Sequence, residues 1–531
     1  MLLNKNILYL FFTAAIMQGC TKLEEPFRGD LTEGQVGADS ANTASLLLGI
    51  YNSLQFPFCS HLVVFPLQEL STDEAIAPTR GQDWDDNGVW RVLHQHKWDA
   101  NSDKIKECFN ALNGISYAAT DLLRYHPKKK EQAEARFLRA WVMYLLLDLY
   151  DQVPYRDPGE NLNTPARVRK GTQALDYIIS EIYAVETDLD DGPVFKANRY
   201  AAKVLLMKCL LNKAVYVNRI NPPTPQKADM DKVISLADTI IKTGGFSFSA
   251  NYFDNFAPDN TSLSKENIFT ILNERFKFPF GNIMLSYGVT LHYNSYGVWW
   301  GTAGFNGWAT LSDFYDKFEP TDKRRGNIYS SVGSPPNPGK QINVGFLIGQ
   351  QFSLYNNDSL HEKHTPNYLN FTRDVKNIEL GVNLESTGIR PVKYFPDFFD
   401  GPNSYFSPDN DFVFFRLADV LLMKAEAILR GGTPTAAGSY GSTAKEIVNS
   451  IRTDPSRNAS ALPNVTPEIL LDERGREMWW EGWRRQDLIR FGKFLKPYQE
   501  RMYESDPKYL LYPIPAEQIA VNKNLMQNPG Y

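Results

Sequence analysis

The chain predicts a mostly α-helical fold: a body of tetratricopeptide-like helical repeats that carries a large insertion of irregular loops and short strands. Three observations predict it. Long segments repeat apolar residues at helical spacing, with Ala at packing positions, as in "ANRYAAKVLLMKCLLNKAVY" (197–216). From about residue 246 to 411 that periodicity fades, and Gly, Pro, Asn and aromatic residues alternate in short runs such as "YGVWWGTAGFNGW" and "PPNPGKQINVGF". Helical spacing then returns between residues 414 and 494.

Taken in order, "ANTASLLLGIYNSL" (41–54) follows Asp39 and Ser40, either of which suits an N-cap. "AEARFLRAWVMYLLLDLY" (133–150) is a long apolar helix that stops at "DQVPY", where Pro154 blocks continuation. "ALDYIISEIYAVETDL" (174–189) and the 197–216 helix form a hairpin across "DDGPVF", and "MDKVISLADTIIKTGG" (230–245) closes on a glycine pair suited to a C-cap. The aromatic residues of the 246–411 stretch could not stay solvated, so it reads as loops and short strands rather than disorder. Helices are expected again at "FFRLADVLLMKAEAILRGG" (414–432), "STAKEIVNSIR" (442–452) and "PEILLDERGREMWWEGWRRQDLIRFGKF" (467–494). A length of 531 residues alone suggests roughly three or four domains, but no clean linker divides the chain, which reads as one α-rich body.

Charge and composition narrow the partners. The charged (22%) and hydrophobic (43%) fractions are those of a soluble globular protein, and a net charge of −5 argues against a nucleic-acid partner. The unusual quantity is 13% aromatic residues, with 10 Trp, 27 Tyr and 32 Phe. A surplus of that kind in Gly-rich segments can line a ligand surface.

The N-terminus speaks to the compartment. Lys5 precedes the apolar run "ILYLFFTAAI" (7–16), too short to span a bilayer, and "MQGC" then ends at Cys20. Residues 1–19 are expected to be a lipoprotein signal peptide and Cys20 the lipidated residue, although Met17 and Gln18 depart from the usual lipobox. Cys59, Cys108 and Cys209 show neither a disulfide framework nor metal-ligand spacing, and are expected to be buried small apolar residues.

"WWEGWRRQDL" (479–488) is the densest stretch. On a continuous helix Trp479, Trp480 and Trp483 share a broad face, Glu481 reaches Arg485 and Arg484 reaches Asp487. Gly482 in mid-helix implies that a neighbouring backbone packs close. Such a cluster is expected to be core rather than a stacking surface.

These residues also carry a resemblance. "ERGREMWWEGWRRQDLIRFGKF" resembles the C-terminal signature of the SusD/RagB family at Glu481, Gly482, Arg484, Asp487, Leu488, Arg490 and Gly492. "YPIPAEQIAVNKNLMQNPGY" (512–531) is similar to the family's closing segment, with Lys523 where Pro is usual. "AEARFLRAWVMYLLLDLYDQVPY", "TLSDFYDKFEPTDKRRG" and "FRLADVLLMKAEAI" resemble further family elements in order, and Glu24-Glu25 resembles the surface-export signal of Bacteroidetes lipoproteins. The resemblance implies a nutrient-binding outer-membrane lipoprotein that faces the cell exterior. It would capture oligosaccharide and pass it to a SusC-like TonB-dependent transporter. It also implies a 20–245 N-terminal region with the helical repeats and a 246–531 C-terminal region, packed as one unit.

Sugars need flat aromatic faces for their C–H surfaces and amides or carboxylates for their hydroxyls. Two stretches offer both. In "RGQDWDDNGVWR" (80–91) a three-residue hairpin loop Asp86-Asn87-Gly88 would pair Trp84 with Trp90 on one face, beside Asp83, Asp85 and Asn87. In "YNSYGVWWGTAGFNGW" (293–308) Tyr296, Trp299, Trp300 and Trp308 alternate with glycines. A glycoside hydrolase would need a carboxylate pair, for which Asp83, Asp85 and Asp86 are the candidates, but nothing else completes a catalytic set. "HQH" (94–96) and "HEKH" (361–364) lack a third metal ligand and read as surface histidines. No enzyme activity, cofactor or metal is expected. A lid or scaffold subunit that binds no glycan is the other reading, favoured if the aromatic loops prove buried.

Overall fold

Successive helices pack against one another along the first half of the chain, and the reason is the apolar surface that each must bury. The structure, a computed structural model, describes residues 40–81, 83–274, 288–295, 304–329, 342–353, 358–381, 384–395 and 409–531. Helices α1 (Ser40–Ser53), α2 (Asp103–Leu123), α3 (Lys129–Tyr150), α4 (Gly171–Val185), α5 (Arg199–Val217) and α6 (Lys227–Thr243) lead to α7 (Leu417–Leu429). α2 packs on α3, α3 on α4, α4 on α5, α5 on α6 and α6 on α7, the neighbour-on-neighbour order of a helical repeat. Helices α8 (Ala444–Arg452), α9 (Pro467–Met478), α10 (Arg484–Arg490) and α11 (Ala516–Val521) complete the set used below.

α3 ends where expected. Asp151 takes the left-handed conformation (φ +61°) and Pro154 then sits in a strand, Gln152–Tyr155, paired antiparallel with Arg167–Lys170. α2 is a helix beyond those expected, although Ile105, Phe109, Leu112, Ile115, Ala119 and Leu122 recur at helical spacing and are buried. Cys59, Cys108 and Cys209 are buried free thiols, as expected. Among the described residues no helix is long and apolar enough to cross a membrane.

Two helical expectations fail, for physical reasons. Phe412–Arg416 is not the start of a helix but a fully buried strand, paired antiparallel with Asn267–Ile271; α7 begins only at Leu417. Its aromatic and β-branched residues fit a pleated strand in the core better than a helical turn. The 467–494 segment is likewise two helices, broken between Met478 and Arg484. The backbone there is left-handed at Trp480 (φ +55°) and Gly482 (φ +79°). The amide of Trp480 donates to Glu74 and that of Gly482 to Glu69 Oε1 at 2.6 Å, so two buried carboxyl groups take amides that a continuous helix would give to its own carbonyls. Burial pushes both carboxyls up, Glu74 to about 8. A Cβ on Gly482 would meet nothing, so glycine serves the positive φ there and not a close backbone approach.

The tryptophans of this break are core, as expected. Trp479, Trp480 and Trp483 are all buried, and Lys208 Nζ lies 3.4 Å from the centroid of the Trp483 ring. The ion pairs differ from those expected within one helix. Glu481 pairs with Lys393 (2.6 Å) and Arg416, Arg484 pairs with Asp73 through both nitrogens (2.7 Å each), and Asp487 joins Arg474 (2.7 Å) to Arg490 (2.6 Å). Each of these partners except Arg490 comes from outside the 479–490 segment.

A wider buried network surrounds them. Glu477 accepts from Arg324 (2.9 Å), Arg416 (2.6 Å) and Arg457 (2.7 Å), and Glu473 from Arg324, Arg452 and Arg476. Burial alone would raise the Glu473 carboxyl, but Arg324, Arg476 and Arg452 outweigh it and hold it at about 2. Glu426, buried beside Arg490 and Arg430, is likewise held at about 2. Folded values below the ordinary one near 4.5 mean stabilisation that is complete above that pH and lost as pH falls through it. Urea midpoints are therefore expected to fall steeply between about pH 4.5 and 2.5. A flat acid limb would show that these carboxylates do not hold the fold.

Candidate functional site

The two stretches expected to carry the site meet in the structure. Ala75–Ile76 pairs antiparallel with Ala309–Thr310, and Thr79–Arg80 pairs parallel with Ile378–Glu379, so three segments distant in sequence converge. One buried guanidinium ties their loops: Arg390 donates to Asn306 Oδ1 (2.9 Å) and to the carbonyls of Thr387 (3.0 Å), Glu385 (3.1 Å) and Thr290 (3.3 Å). Arg80, also buried, donates to the carbonyls of Gly307 (3.2 Å) and Leu384 (3.1 Å). Bonds from one planar fork to several carbonyls satisfy backbone acceptors that irregular loops leave open.

Within this frame the 80–91 stretch is not a hairpin. Asp86–Gly88 forms a single 3-10 turn with positive φ at Asp86 (+37°), Asn87 (+55°) and Gly88 (+79°). The Trp84 indole donates to Phe305 O (2.8 Å) and that of Trp90 to Asp86 Oδ2 (2.7 Å). The two rings do meet, with centroids 6.0 Å apart, but they do not form a two-ring platform. Trp90 is turned into the core at 3% exposure, and Trp308 is fully buried, stacked on Phe65 (6.0 Å) and 6.2 Å from Trp480. Both are thereby corrected from surface residues to core residues. Trp84 remains half-buried, its ring over Trp90, Trp308 and His61. Burial, then Lys104, pushes the His61 imidazole down to about 4, so this ring of the floor is neutral at pH 7.

The polar rim lies beside Trp84. Asp83 and Asn87 are exposed; Asp85 pairs with Arg91 (2.5 Å). Tyr293 donates its hydroxyl to Asp83, and Lys363 Nζ lies 4.6 Å from the Tyr293 ring centroid. Asn294 Nδ2 donates to His361 O (3.0 Å), and the His361 ring stacks on exposed Tyr368 at 4.5 Å. Beneath them buried His292 bonds Glu385, whose carboxylate also accepts the Lys363 amide (2.6 Å). Burial raises the Glu385 carboxyl, but the His292 bond and the Lys363 amide outweigh it and lower it.

Tyr293, Asn294, Lys363, His361 and Tyr368 were not among the expected site residues. The only signal was "HEKH", read as a non-metal surface pair of histidines, and Tyr293 as the first residue of the second aromatic stretch. The other histidine pair is corrected: His94 and His96 are buried, bonded to the carbonyls of Ala75 (3.3 Å), Gln499 (3.1 Å) and Ser71 (2.8 Å), rather than at the surface. Among the described residues no group of three or more His, Cys, Asp or Glu is placed to hold a metal ion. The acids of the 80–91 loop are each engaged structurally, Asp83 by Tyr293, Asp85 by Arg91 and Asp86 by Trp90. Tyr296, Trp299, Trp300 and Cys20 lie outside the described residues.

Residues 243–531 match the family model of the SusD family. The starch-binding protein SusD of Bacteroides thetaiotaomicron is 26% identical over 517 residues, spanning 88% of this chain and 85% of that protein. SusD-like protein P25 of Formosa agariphila is 24% identical and spans 88% of this chain and 84% of its own. Among solved structures, a SusD superfamily protein from Parabacteroides distasonis superposes with a TM-score of 0.71 at 17% identity, covering 92% of this chain and 99% of that one. Surface glycan-binding protein A from Bacteroides thetaiotaomicron in complex with laminarihexaose superposes with a TM-score of 0.67 at 16% identity, covering 92% and 99%. At these identities the structural likeness establishes the fold.

The packing under Trp84 makes a direct test. A Cβ on Gly307 would lie 2.3 Å from the Trp84 indole and 2.8 Å from Val289 O. Gly307→Ala is expected to push that ring outward, at a cost of about 1–3 kcal/mol in urea unfolding, with a changed near-ultraviolet circular dichroism spectrum. An unchanged spectrum and midpoint would show that Trp84 does not rest on Gly307.

Proposed function

The chain belongs to the SusD family, and from that premise we propose that it captures oligosaccharide at the cell surface and delivers it to a SusC-like TonB-dependent transporter. The observation that carries the reading is the half-buried Trp84 ring on an aromatic floor, bordered by Asp83, Asn87, Tyr293 and Asn294. A half-buried indole and a border of hydroxyl, amide and carboxylate groups match a sugar's C–H faces and hydroxyls. The relatives support it: one is named a starch-binding protein and another is a glycan-binding protein in complex with laminarihexaose. The site binds without catalysis. Tyr296, Trp299 and Trp300 are proposed as further sugar contacts, and the 20–245 and 246–531 regions are proposed to act as one body.

A second reading, a lid or scaffold subunit of the transporter that binds no glycan, draws on the burial of Trp90 and Trp308. Calorimetric titration with soluble starch and laminarihexaose separates the two. Trp84→Ala is expected to weaken binding at least about tenfold, the scale of a central aromatic contact, with a loss of stability of about 1–3 kcal/mol, smaller than for a fully buried ring. Trp90→Ala is expected to act mainly on stability, costing about 3–5 kcal/mol because its ring is core, with a smaller loss of affinity through Trp84. Binding that survives Trp84→Ala removes the proposed site, and sugar released as product makes the protein an enzyme. No binding by the intact chain, with co-purification of a transporter barrel, leaves the lid reading.

The anchor is proposed at Cys20, with Glu24 and Glu25 directing export to the outer face. Cys20→Ala is expected to move the protein from the outer-membrane fraction to the soluble fraction, since acyl chains are the proposed attachment. Retention of that variant in cells lacking the transporter would refute the lipid anchor.

A further inference from the structure

A second concave surface lies between α2 and α11, closed by the strand Gln152–Tyr155 and the loop 156–166. It encloses about 500 Å³, within the usual range of small-molecule sites, and shares no residue with the rim around Trp84. From α2, Asn110 and Tyr117 face it two helical turns apart; the loop contributes Asn163 and Thr164, and α11 contributes Gln518. The side chains of these five residues make no hydrogen bond to another described residue, so their donors and acceptors are open to a ligand. Tyr117, Leu162 and Val521 add exposed apolar faces at 43%, 60% and 77% exposure.

The lining is nearly uncharged. Its charged side chain, Arg156, is engaged with the loop itself, donating to Asn161 O (3.1 Å) and Leu162 O (3.4 Å). That leaves no unengaged cation to prefer a phosphate or carboxylate and no acid to prefer a cation. The loop is also held in place. Asn522 and Asn524 each donate to Ala166 O at 3.0 Å, and Arg167 joins Asp157 (2.7 Å) to Glu160 (2.8 Å). A groove whose wall is already ordered loses little entropy on binding. Open amides and hydroxyls interleaved with apolar faces, without free charge, are the groups that recognise a neutral polyol.

We propose that this groove is a second saccharide site, taking a neutral oligosaccharide segment independently of the site at Trp84. Two sites on one chain raise the effective concentration of a long polymer at each, so a polysaccharide should bind more tightly than a short oligosaccharide.

The test uses the whole chain with the first site disabled. Trp84→Ala/Tyr293→Ala protein is titrated with laminarin, soluble starch, xylan and mannan, and amide hydrogen exchange is followed in 161–166 and 516–522. At least one polysaccharide is expected to bind still and to slow exchange in both segments by about threefold or more. Adding Tyr117→Ala and Gln518→Ala, at side chains that make no internal hydrogen bond, is expected to weaken that residual binding at least about tenfold with the unfolding midpoint unchanged. Binding abolished by the Trp84 and Tyr293 changes alone overturns the second site while leaving the first. Residual binding indifferent to Tyr117 and Gln518 overturns it too. Exchange slowed only by a purified transporter assigns the groove to a protein contact instead, and an intact chain that binds none of the four refutes both sites.

Discussion

Glu477 is the carboxylate on which the assembly turns. It is fully buried and accepts from Arg324, Arg416 and Arg457, residues that belong to three distant stretches of sequence. A lone carboxylate in that position would cost several kcal/mol to desolvate, and each guanidinium would cost as much alone. The groups are tolerable only together, so α9, the strand Phe412–Arg416, the 322–326 segment and the 454–457 turn must assemble at once. Buried ionic networks are poor sources of net stability, but they penalise wrong registers heavily, and here the register matters for function. One residue on from Glu477 α9 ends and the chain breaks, and Glu74 and Glu69 take the amides of Trp480 and Gly482. That break sets Trp480 against Phe65 and Trp308, and Trp308 is part of the floor under Trp84.

Much of the helical body was legible in the sequence because its determinants are local. The apolar stripes of α4 and α6, the apolar runs of α3 and α5 and the stop before Pro154 follow from spacing, composition and proline chemistry. What was not legible depends on partners far along the chain. "FFR" reads as helical by its neighbours, yet Asn267–Ile271 supplies a ladder and makes it a strand. "WWEGW" reads as a continuous helix until Glu69 and Glu74, some 410 residues earlier, capture its amides. Their hydrogen bonds span |i−j| of 413 and 406, a separation that no local pattern encodes.

The same division holds at the site. The two aromatic stretches were recognisable from composition, since aromatic residues interleaved with glycine and acids are rarely placed without a role in packing or binding. Which ring faces outward was not recognisable, because it is decided by the left-handed turn at Asp86–Gly88 and by the carbonyls that Arg80 and Arg390 collect. The rim residues His361 and Tyr368 come from a segment that only tertiary structure carries to the site. A histidine pair in sequence looks like a metal ligand set before it looks like part of a sugar-sized border.

The arrangement also explains why core tryptophans can serve a binding surface without touching a ligand. Trp84 sits at φ +61°, a conformation costing a non-glycine residue about 1–2 kcal/mol. Its indole bond to Phe305 O and its rest on Trp90, Trp308 and His61 offset that strain. A ring held in this way has little freedom left to lose when a sugar stacks on it, and preorganisation is what a shallow, solvent-facing contact most lacks. At the proposed site, buried Trp90 and Trp308 would thus act on affinity only through the rigidity of their neighbour. The same logic runs downward through Trp480 to the Glu69–Glu74 break and the Glu477 network. The cost of burying charge in the core is matched by the fixed position of one half-exposed ring at the surface.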